Sequence, residues 1–176
     1  MSQSSEAKKE KVIEVLNKAR SMELQAIHQY MNQHYGLDDM DYGELAGNMK
    51  LIAIDEMKHA EALAERVKEL GGEPTTELAG SVEKEQDIKT VYSFNSGEEE
   101  GAIDAYNEFA KVCRENNDTI SMKLFERLID EEQEHLNYFD DIGEHIEKLG
   151  EAYLARIAGS LADSGGPSRG FINQGG

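Results

Sequence analysis

The sequence has few cysteines and prolines, lacks tryptophan, and has half as many basic as acidic residues. Among its 176 residues there are one cysteine, two prolines and no tryptophan. The lone cysteine, Cys113, excludes an internal disulfide framework and any paired-cysteine metal or redox motif. Against 36 aspartates and glutamates stand 18 lysines and arginines, a net charge of −18 that repels nucleic acid and attracts cations.

Long hydrophobic runs are also missing. No stretch of about 18 apolar residues occurs, so the sequence predicts no membrane-spanning helix. The first residues, MSQSSEAKKEKV, lack the apolar core of a signal peptide, and we therefore expect a cytoplasmic protein without membrane or nucleic-acid partners. Hydrophobic residues still make up 39% of the chain, and its length corresponds to about one domain, so a packed core is expected.

Apolar residues recur every three to four positions over long stretches, which predicts helices. Short links after the first and third helices require antiparallel neighbours, whereas the polar connection over 73–91 is long enough to cross a bundle. The predicted fold class is all-α: a ferritin-like four-helix bundle with one long crossover and a short fifth C-terminal helix, occupying residues 1–159 before a flexible tail at 160–176. The helices are expected at about 6–35, 41–72, 92–116, 119–149 and 151–158.

Local signals predict where the helices begin and end. A break is expected at 36–40 between the first two helices. Asp41 and Glu44 have the spacing of a capping box at the start of the second helix, and Asp118 is a candidate cap for the fourth. No internal repeat is recognised in the sequence.

One glutamate on each long helix occupies the apolar stripe that should face the core. In addition, His59 and His135 each follow such a glutamate by three residues, so that both members of each pair project from one helix face. The four glutamates are Glu23, Glu56, Glu99 and Glu132.

Burying these acids requires a partner, because an unpaired ionised carboxylate in a protein interior costs several kcal/mol. No lysine or arginine lies on the stripes near them. Two divalent cations would balance four carboxylates and two neutral imidazoles. Two E-x-x-H motifs with one glutamate from each of the other helices form the arrangement of di-iron and di-manganese carboxylate proteins. Oxygen and imidazole ligands suit iron and manganese.

The ligand on the third helix has an alternative. Glu99 shares a face with Ile103, Tyr106 and Ala110, which favours it. Glu98 is the alternative, and Ser96 with Glu99 could instead form a capping box at a later helix start.

These features resemble the bacterioferritin family over about residues 6–158. The resemblance implies a haem held between two subunits by one methionine from each, which is Met57 here; packing on the helix surface is the other interpretation of Met57. It also implies a hollow shell of about 24 subunits, with the short fifth helix at an axis of the shell. The matching segments are MELQAIHQY, IAIDEMKHAEALAER, EGAIDAYNEFAKVC and RLIDEEQEHLNYF. The implied iron ligands, of which Glu56 and Glu132 bridge, are Glu23, Glu56, His59, Glu99, Glu132 and His135.

The resemblance implies an iron-storage protein and a ferroxidase, which would oxidise Fe(II) to Fe(III) with O2 or H2O2 at a di-iron centre. Haem would pass electrons inward for iron release, with a small electron-donor protein as a further partner. Tyr30, two turns after Glu23, resembles a family tyrosine that supplies an electron or proton beside the site; a tyrosine that only packs is the other interpretation. The alternative functions are a rubrerythrin-like di-iron peroxidase or manganese catalase without storage, and a structural bundle that binds cations adventitiously.

Overall fold

The described part of the chain forms five helices, four of which make the predicted bundle. The structure, a computed structural model, describes residues 3–162 and 170–172, with side chains from Ser5 onward. None of the helices in these residues is long and apolar enough to cross a membrane. The predicted fold class is confirmed. The helices are α1 (Gln3–Asp39), α2 (Gly43–Glu69), α3 (Ile88–Glu115), α4 (Thr119–Leu149) and α5 (Glu151–Ile157).

The connection between α2 and α3 runs along α1. The Ala79 N–H donates to the Ser21 carbonyl at 3.0 Å. Further along, the Gln29 amide nitrogen donates to the Glu83 carbonyl at 3.0 Å. Because the connection travels the length of the bundle, α2 and α3 run parallel, as the long crossover predicts. Within the two helix pairs, α1 packs antiparallel against α2, and α3 packs antiparallel against α4.

Two apolar clusters fill the bundle, one toward each end. Both draw on all four long helices, because each helix places an apolar residue inward every three to four positions. The predicted glutamates and histidines lie between the clusters. The first cluster is centred on Tyr30, Leu45, Met49, Tyr92 and Phe139. The second is centred on Val12, Leu16, Leu63, Tyr106, Phe125 and Leu128.

The start of α2 differs from the prediction. The expected break at 36–40 is wrong, because α1 continues to Asp39 and buries Leu37 in the first cluster. The capping box is also wrong: Asp41 adopts a left-handed conformation at φ 67° and does not cap the helix. Instead, the Glu44 N–H donates to the Ser160 hydroxyl at 2.8 Å. A residue that follows α5 therefore caps α2.

The third helix begins earlier than expected, whereas the fourth has the predicted bounds. Asp87 caps α3 by accepting a hydrogen bond from the Lys89 N–H at 2.8 Å. Ser96 lies inside this helix, which removes the capping-box interpretation of Glu99. Asp118 caps α4 as predicted.

Parts of the predicted tail contact the bundle. Ser160 forms an isolated bridge with Tyr42, and the Phe171 N–H donates to the Leu51 carbonyl at 3.2 Å. The rest of the tail, 163–169 and 173–176, lies outside the described residues. The division into a domain at 1–159 and a flexible tail stays a prediction.

Candidate metal centre

Six side chains meet in the layer between the two apolar clusters. Their carboxylate oxygens and imidazole nitrogens form two overlapping groups in which the atoms lie within 4.8 Å of one another. Glu56 and Glu132 belong to both groups. The first group adds Glu23 and His59, and the second adds Glu99 and His135. All six are at most 2% exposed. The arrangement offers two adjacent cation positions that share two carboxylates.

The shared carboxylates face both histidines. One oxygen of Glu56 lies 3.0 Å from His59 Nδ1, and the other lies 3.2 Å from His135 Nδ1. Glu132 repeats this arrangement, with each oxygen 3.1 Å from one of the two Nδ1 atoms. Each of these two carboxylates therefore presents one oxygen to each histidine.

A second pair of carboxylates holds the far side of each imidazole. His59 Nε2 lies 2.9 Å from Glu131 Oε2, and His135 Nε2 lies 3.4 Å from Asp55 Oδ2. We call Glu131 and Asp55 the outer carboxylates. When an outer carboxylate accepts the Nε2–H of a neutral imidazole, the lone pair on Nδ1 points into the centre, as in carboxylate–histidine–metal triads.

The residues fit a cation at this point. Neither oxygen of Glu56 accepts a hydrogen bond from any described residue, despite the short distances to both Nδ1 atoms. Within residues 3–162 and 170–172, no lysine or arginine pairs with any of the four core glutamates. Imidazole lone pairs that face carboxylate oxygens repel them unless a proton or a metal cation lies between.

Two tyrosines complete the polar layer. The Tyr30 hydroxyl donates to Glu99 at 2.5 Å, and the Tyr106 hydroxyl donates to Glu23. Burial raises the pKa of both tyrosines well above the usual value, and the nearby carboxylates raise it further. Both phenols therefore remain neutral hydrogen-bond donors. Tyr30 on α1 donates to a carboxylate on α3, and Tyr106 on α3 donates to a carboxylate on α1.

Burial and charge together set the protonation of the centre. Burial raises the pKa of Glu23 and Glu99 well above the usual range, and the charges of Glu132 and Glu56 add to this. Burial also acts on Glu132, but His59 and His135 outweigh it and hold its pKa below the usual range. For the histidines, burial lowers the pKa, yet the surrounding carboxylates outweigh burial and raise it overall. Protons therefore compete with a cation for these atoms.

The two halves of the centre correspond residue by residue at a constant spacing. Each residue of the second half carries a number 76 higher than its counterpart, as in 99 − 23 and 135 − 59. The two halves of the chain therefore repeat one pattern of residue types and spacings, although no internal repeat was predicted from the sequence. The pairs are Glu23 with Glu99, Tyr30 with Tyr106, Asp55 with Glu131, Glu56 with Glu132, and His59 with His135.

The outer carboxylates and the Tyr106 hydrogen bond to Glu23 are not among the residues predicted from the sequence. The available signal was that an acid directly precedes both E-x-x-H motifs. Tyr106 also follows Glu99 by seven residues, as Tyr30 follows Glu23.

The remaining predicted residues lie apart from the cluster. Glu98 is exposed on α3, so the structure places Glu99 rather than Glu98 among the core acids. Met57 follows Glu56 but points outward, and half of its surface is exposed.

A pocket of about 250 Å³ opens onto the centre between α1 and α3. Glu23, Glu99 and both tyrosines line it, and Ala79 of the long connection forms part of its wall. Gly97 and Gly101 lie at this pocket, and a methyl group added at either would have no neighbour within 4 Å. The pocket therefore reaches the core glutamates from between α1 and α3.

Comparison with known proteins places this centre in a family. A family model for the ferritin-like domain matches residues 13–150. The bacterioferritin of Desulfovibrio desulfuricans is 60% identical over 167 residues, which are 95% of this chain and 93% of that protein. A bacterioferritin of Mycobacterium tuberculosis is 31% identical over 80% of this chain and 88% of its own length.

Solved structures give the same result. The crystal structure of the D. desulfuricans bacterioferritin, determined to describe its diiron site in different catalytic states, matches with a TM-score of 0.92 over 95% of this chain and 98% of its own. The M. tuberculosis bacterioferritin BfrA matches with a TM-score of 0.79 at 31% identity, over 84% and 93%. The chain therefore belongs to the ferritin-like domain family and, within it, to the bacterioferritins.

Proposed function

We propose that the protein stores iron and oxidises Fe(II) to Fe(III) at the buried centre, as a ferroxidase. The observation that carries this proposal is the pair of overlapping carboxylate–histidine groups that share Glu56 and Glu132. Its membership of the bacterioferritins supports it. When bound, two iron ions at adjacent positions supply the two electrons that an oxidant such as O2 or H2O2 takes up.

The side chains have distinct roles in this proposal. Glu56 and Glu132 hold both ions, whereas Glu23 with His59 and Glu99 with His135 each hold one. Carboxylates favour the oxidised ion because they stabilise its higher charge. Tyr30 orients the Glu99 carboxylate by a hydrogen bond, and Tyr106 orients that of Glu23. Tyr30 is the candidate to supply an electron or proton.

Further parts of the proposal follow family membership. We propose a hollow shell of about 24 chains that holds the mineral, haem at two-fold interfaces with Met57 as axial ligand, and a small protein that donates electrons for iron release. Half of the Met57 surface is exposed, so this side chain can contact a second copy of the chain. A cytoplasmic location belongs to the same proposal.

Replacing a bridging carboxylate tests the oxidation step. Glu56→Gln keeps the shape of the side chain but removes its charge, so we expect the initial rate of Fe(II) oxidation to fall by at least about tenfold. His135→Ala should have a similar effect. The measurement is stopped-flow absorbance of Fe(III) formation after aerobic mixing with Fe(II).

The matched control is Glu65→Gln, which changes an exposed glutamate of the same helix. Its oxidation rate should equal that of the unmodified protein, and all variants should elute as the same assembly. Unchanged oxidation in both Glu56→Gln and His135→Ala would place the activity elsewhere.

A further inference from the structure

Residues 170–172 lie along α2 on the outer side of the metal centre. The Phe171 N–H donates to the Leu51 carbonyl at 3.2 Å, and the Ile172 N–H donates to Asp55 Oδ2 at 3.0 Å. Leu51 and Asp55 are one helical turn apart, so the backbone of the segment is tied to two successive turns of α2. We call residues 170–172 the C-terminal strap.

The Phe171 ring reaches across to α4. Its centroid lies 4.8 Å from the Tyr138 ring and 6.1 Å from the His135 ring, which it meets nearly edge-on at 66°. Aromatic rings in contact at these distances hold one another's orientation. The strap therefore contacts the imidazole of His135 from the side opposite to the core glutamates.

Gly170 fits directly against an outer carboxylate. A Cβ atom at this position would lie 1.6 Å from Asp55 Oδ1, and 2.9 Å from Lys58 Nζ. Only glycine allows the backbone to approach this closely. The backbone of the strap therefore lies against Asp55 Oδ1. Asp55 Oδ2 accepts the Ile172 N–H and faces His135 Nε2 at 3.4 Å.

The other half of the centre has no such cover among the described residues. Glu131, the counterpart of Asp55, has a side chain that is 25% exposed and pairs with Arg127 at 3.0 Å. Asp55 also has a basic neighbour, Lys58 at 3.5 Å, but it is only 2% exposed. The two halves therefore match in their inner ligands but differ in what holds their outer carboxylates.

We propose that the C-terminal strap positions Asp55, and through it His135, so that the metal ion on the His135 half exchanges more slowly than the ion on the His59 half. The inference rests on the proposed function, because it needs a centre that holds two ions. The strap residues are positioning residues: they contact Asp55 and the far side of His135. Outer partners of a metal-binding histidine typically change metal affinity by about 10–100-fold when they are lost.

Release of Co(II) to a chelating dye tests the proposal without relying on oxidation. The metal-free full-length protein is loaded with Co(II) under nitrogen, and the loss of its d–d absorbance is followed after the dye is added. For the unmodified chain we expect binding of two ions and release in two phases of equal amplitude. Gly170→Ala and Phe171→Ala should accelerate the slow phase by about tenfold and leave the fast phase unchanged.

Two further variants separate positioning from general loosening of the fold. Phe171→Tyr keeps the ring and should retain the slow phase, and Leu161→Ala, at a side chain that is 87% exposed, should release metal like the unmodified chain. A slow phase that is unchanged in both Gly170→Ala and Phe171→Ala overturns the inference. So does equal acceleration of both phases. Binding of fewer than two Co(II) per chain would instead reject the two-ion centre itself, and the proposed function with it.

Discussion

At the metal centre, protons and cations compete for the same oxygen and nitrogen atoms. Burial raises the pKa of Glu23 and Glu99, and the neighbouring carboxylates raise the pKa of His59 and His135 overall. Near neutral pH these groups therefore bind more protons than they would in water. A divalent cation needs ionised carboxylates and an unprotonated Nδ1, so its binding must displace protons.

Metal binding should therefore release protons and weaken in acid. We expect protons to leave as divalent ions bind near neutral pH, and affinity to fall as the pH is lowered. Titration calorimetry with Co(II) in buffers of different ionisation enthalpy measures the number released. Glu23→Gln and Glu99→Gln should each release fewer protons, whereas exposed Glu65→Gln should match the unmodified chain. Binding without proton release in any buffer would contradict the pKa directions.

Single residues could be predicted where their chemistry conflicted with their position. The four core glutamates and two histidines stood out because acids rarely interrupt an apolar stripe. Glu131 and Asp55 did not, because each contacts a histidine on another helix. An acid directly precedes each E-x-x-H motif, but which histidine it contacts depends on the rotation and pairing of α2 and α4, which the spacing within one helix does not contain.

At the scale of helices, one carboxylate links the start of α4 to α2. Asp118 accepts the Ser121 N–H at 2.9 Å, and both of its oxygens accept hydrogen bonds from Arg66 at 2.9–3.0 Å. Burial raises the pKa of Asp118, but these bonds outweigh burial and lower it below the usual value of about 3.9. A carboxylate with a lowered folded-state pKa adds stability above its unfolded pKa and loses it as pH falls through the folded value.

Removing this carboxylate should destabilise the protein in a pH-dependent way. Asp118→Ala loses the cap and leaves a half-buried Arg66 with fewer partners, so we expect the free energy of unfolding to fall by about 1–3 kcal/mol at neutral pH. Asp118→Asn keeps a capping oxygen and should cost less. Urea unfolding followed by circular dichroism measures both. The deficit of each variant should shrink below about pH 4, as the native Asp118 takes up its proton; a deficit that is independent of pH would contradict the ionised pair.

Helix bounds could be predicted where the signal was local. The α4 range of Thr119–Leu149 follows from the Asp118 cap and from Gly150, whose φ is 51°. The start of α2 could not be predicted, because its hydrogen-bond acceptor is the hydroxyl of Ser160, 116 positions from Glu44. A cap supplied from so far along the chain depends on the completed fold.

At the scale of the whole molecule, the bundle is two similar helix pairs related by the constant spacing of 76 residues. Each pair contributes one glutamate that belongs to a single group, a tyrosine, an outer carboxylate, one glutamate shared by both groups, and a histidine. Because the pairs face each other, each histidine is held by an outer carboxylate from the other pair. This exchange of partners makes the two-ion centre depend on both halves of the chain.

Beyond the single chain, the exposed Met57 provides the test of assembly and haem together. A thioether suits a haem iron as a soft axial ligand, and a two-fold interface would bring two of them to one porphyrin. We expect the reconstituted protein to show a Soret band at about one haem per two chains, in a particle of about 24 chains by mass photometry.

Met57→Ala should lose the Soret band and keep the particle, because Met57 is 50% exposed and contributes little to the core of its own chain. Met40→Ala, at a methionine that is 41% exposed, should keep both. Porphyrin bound equally by Met57→Ala would reject the ligand, and a particle of only a few chains would reject the storage shell.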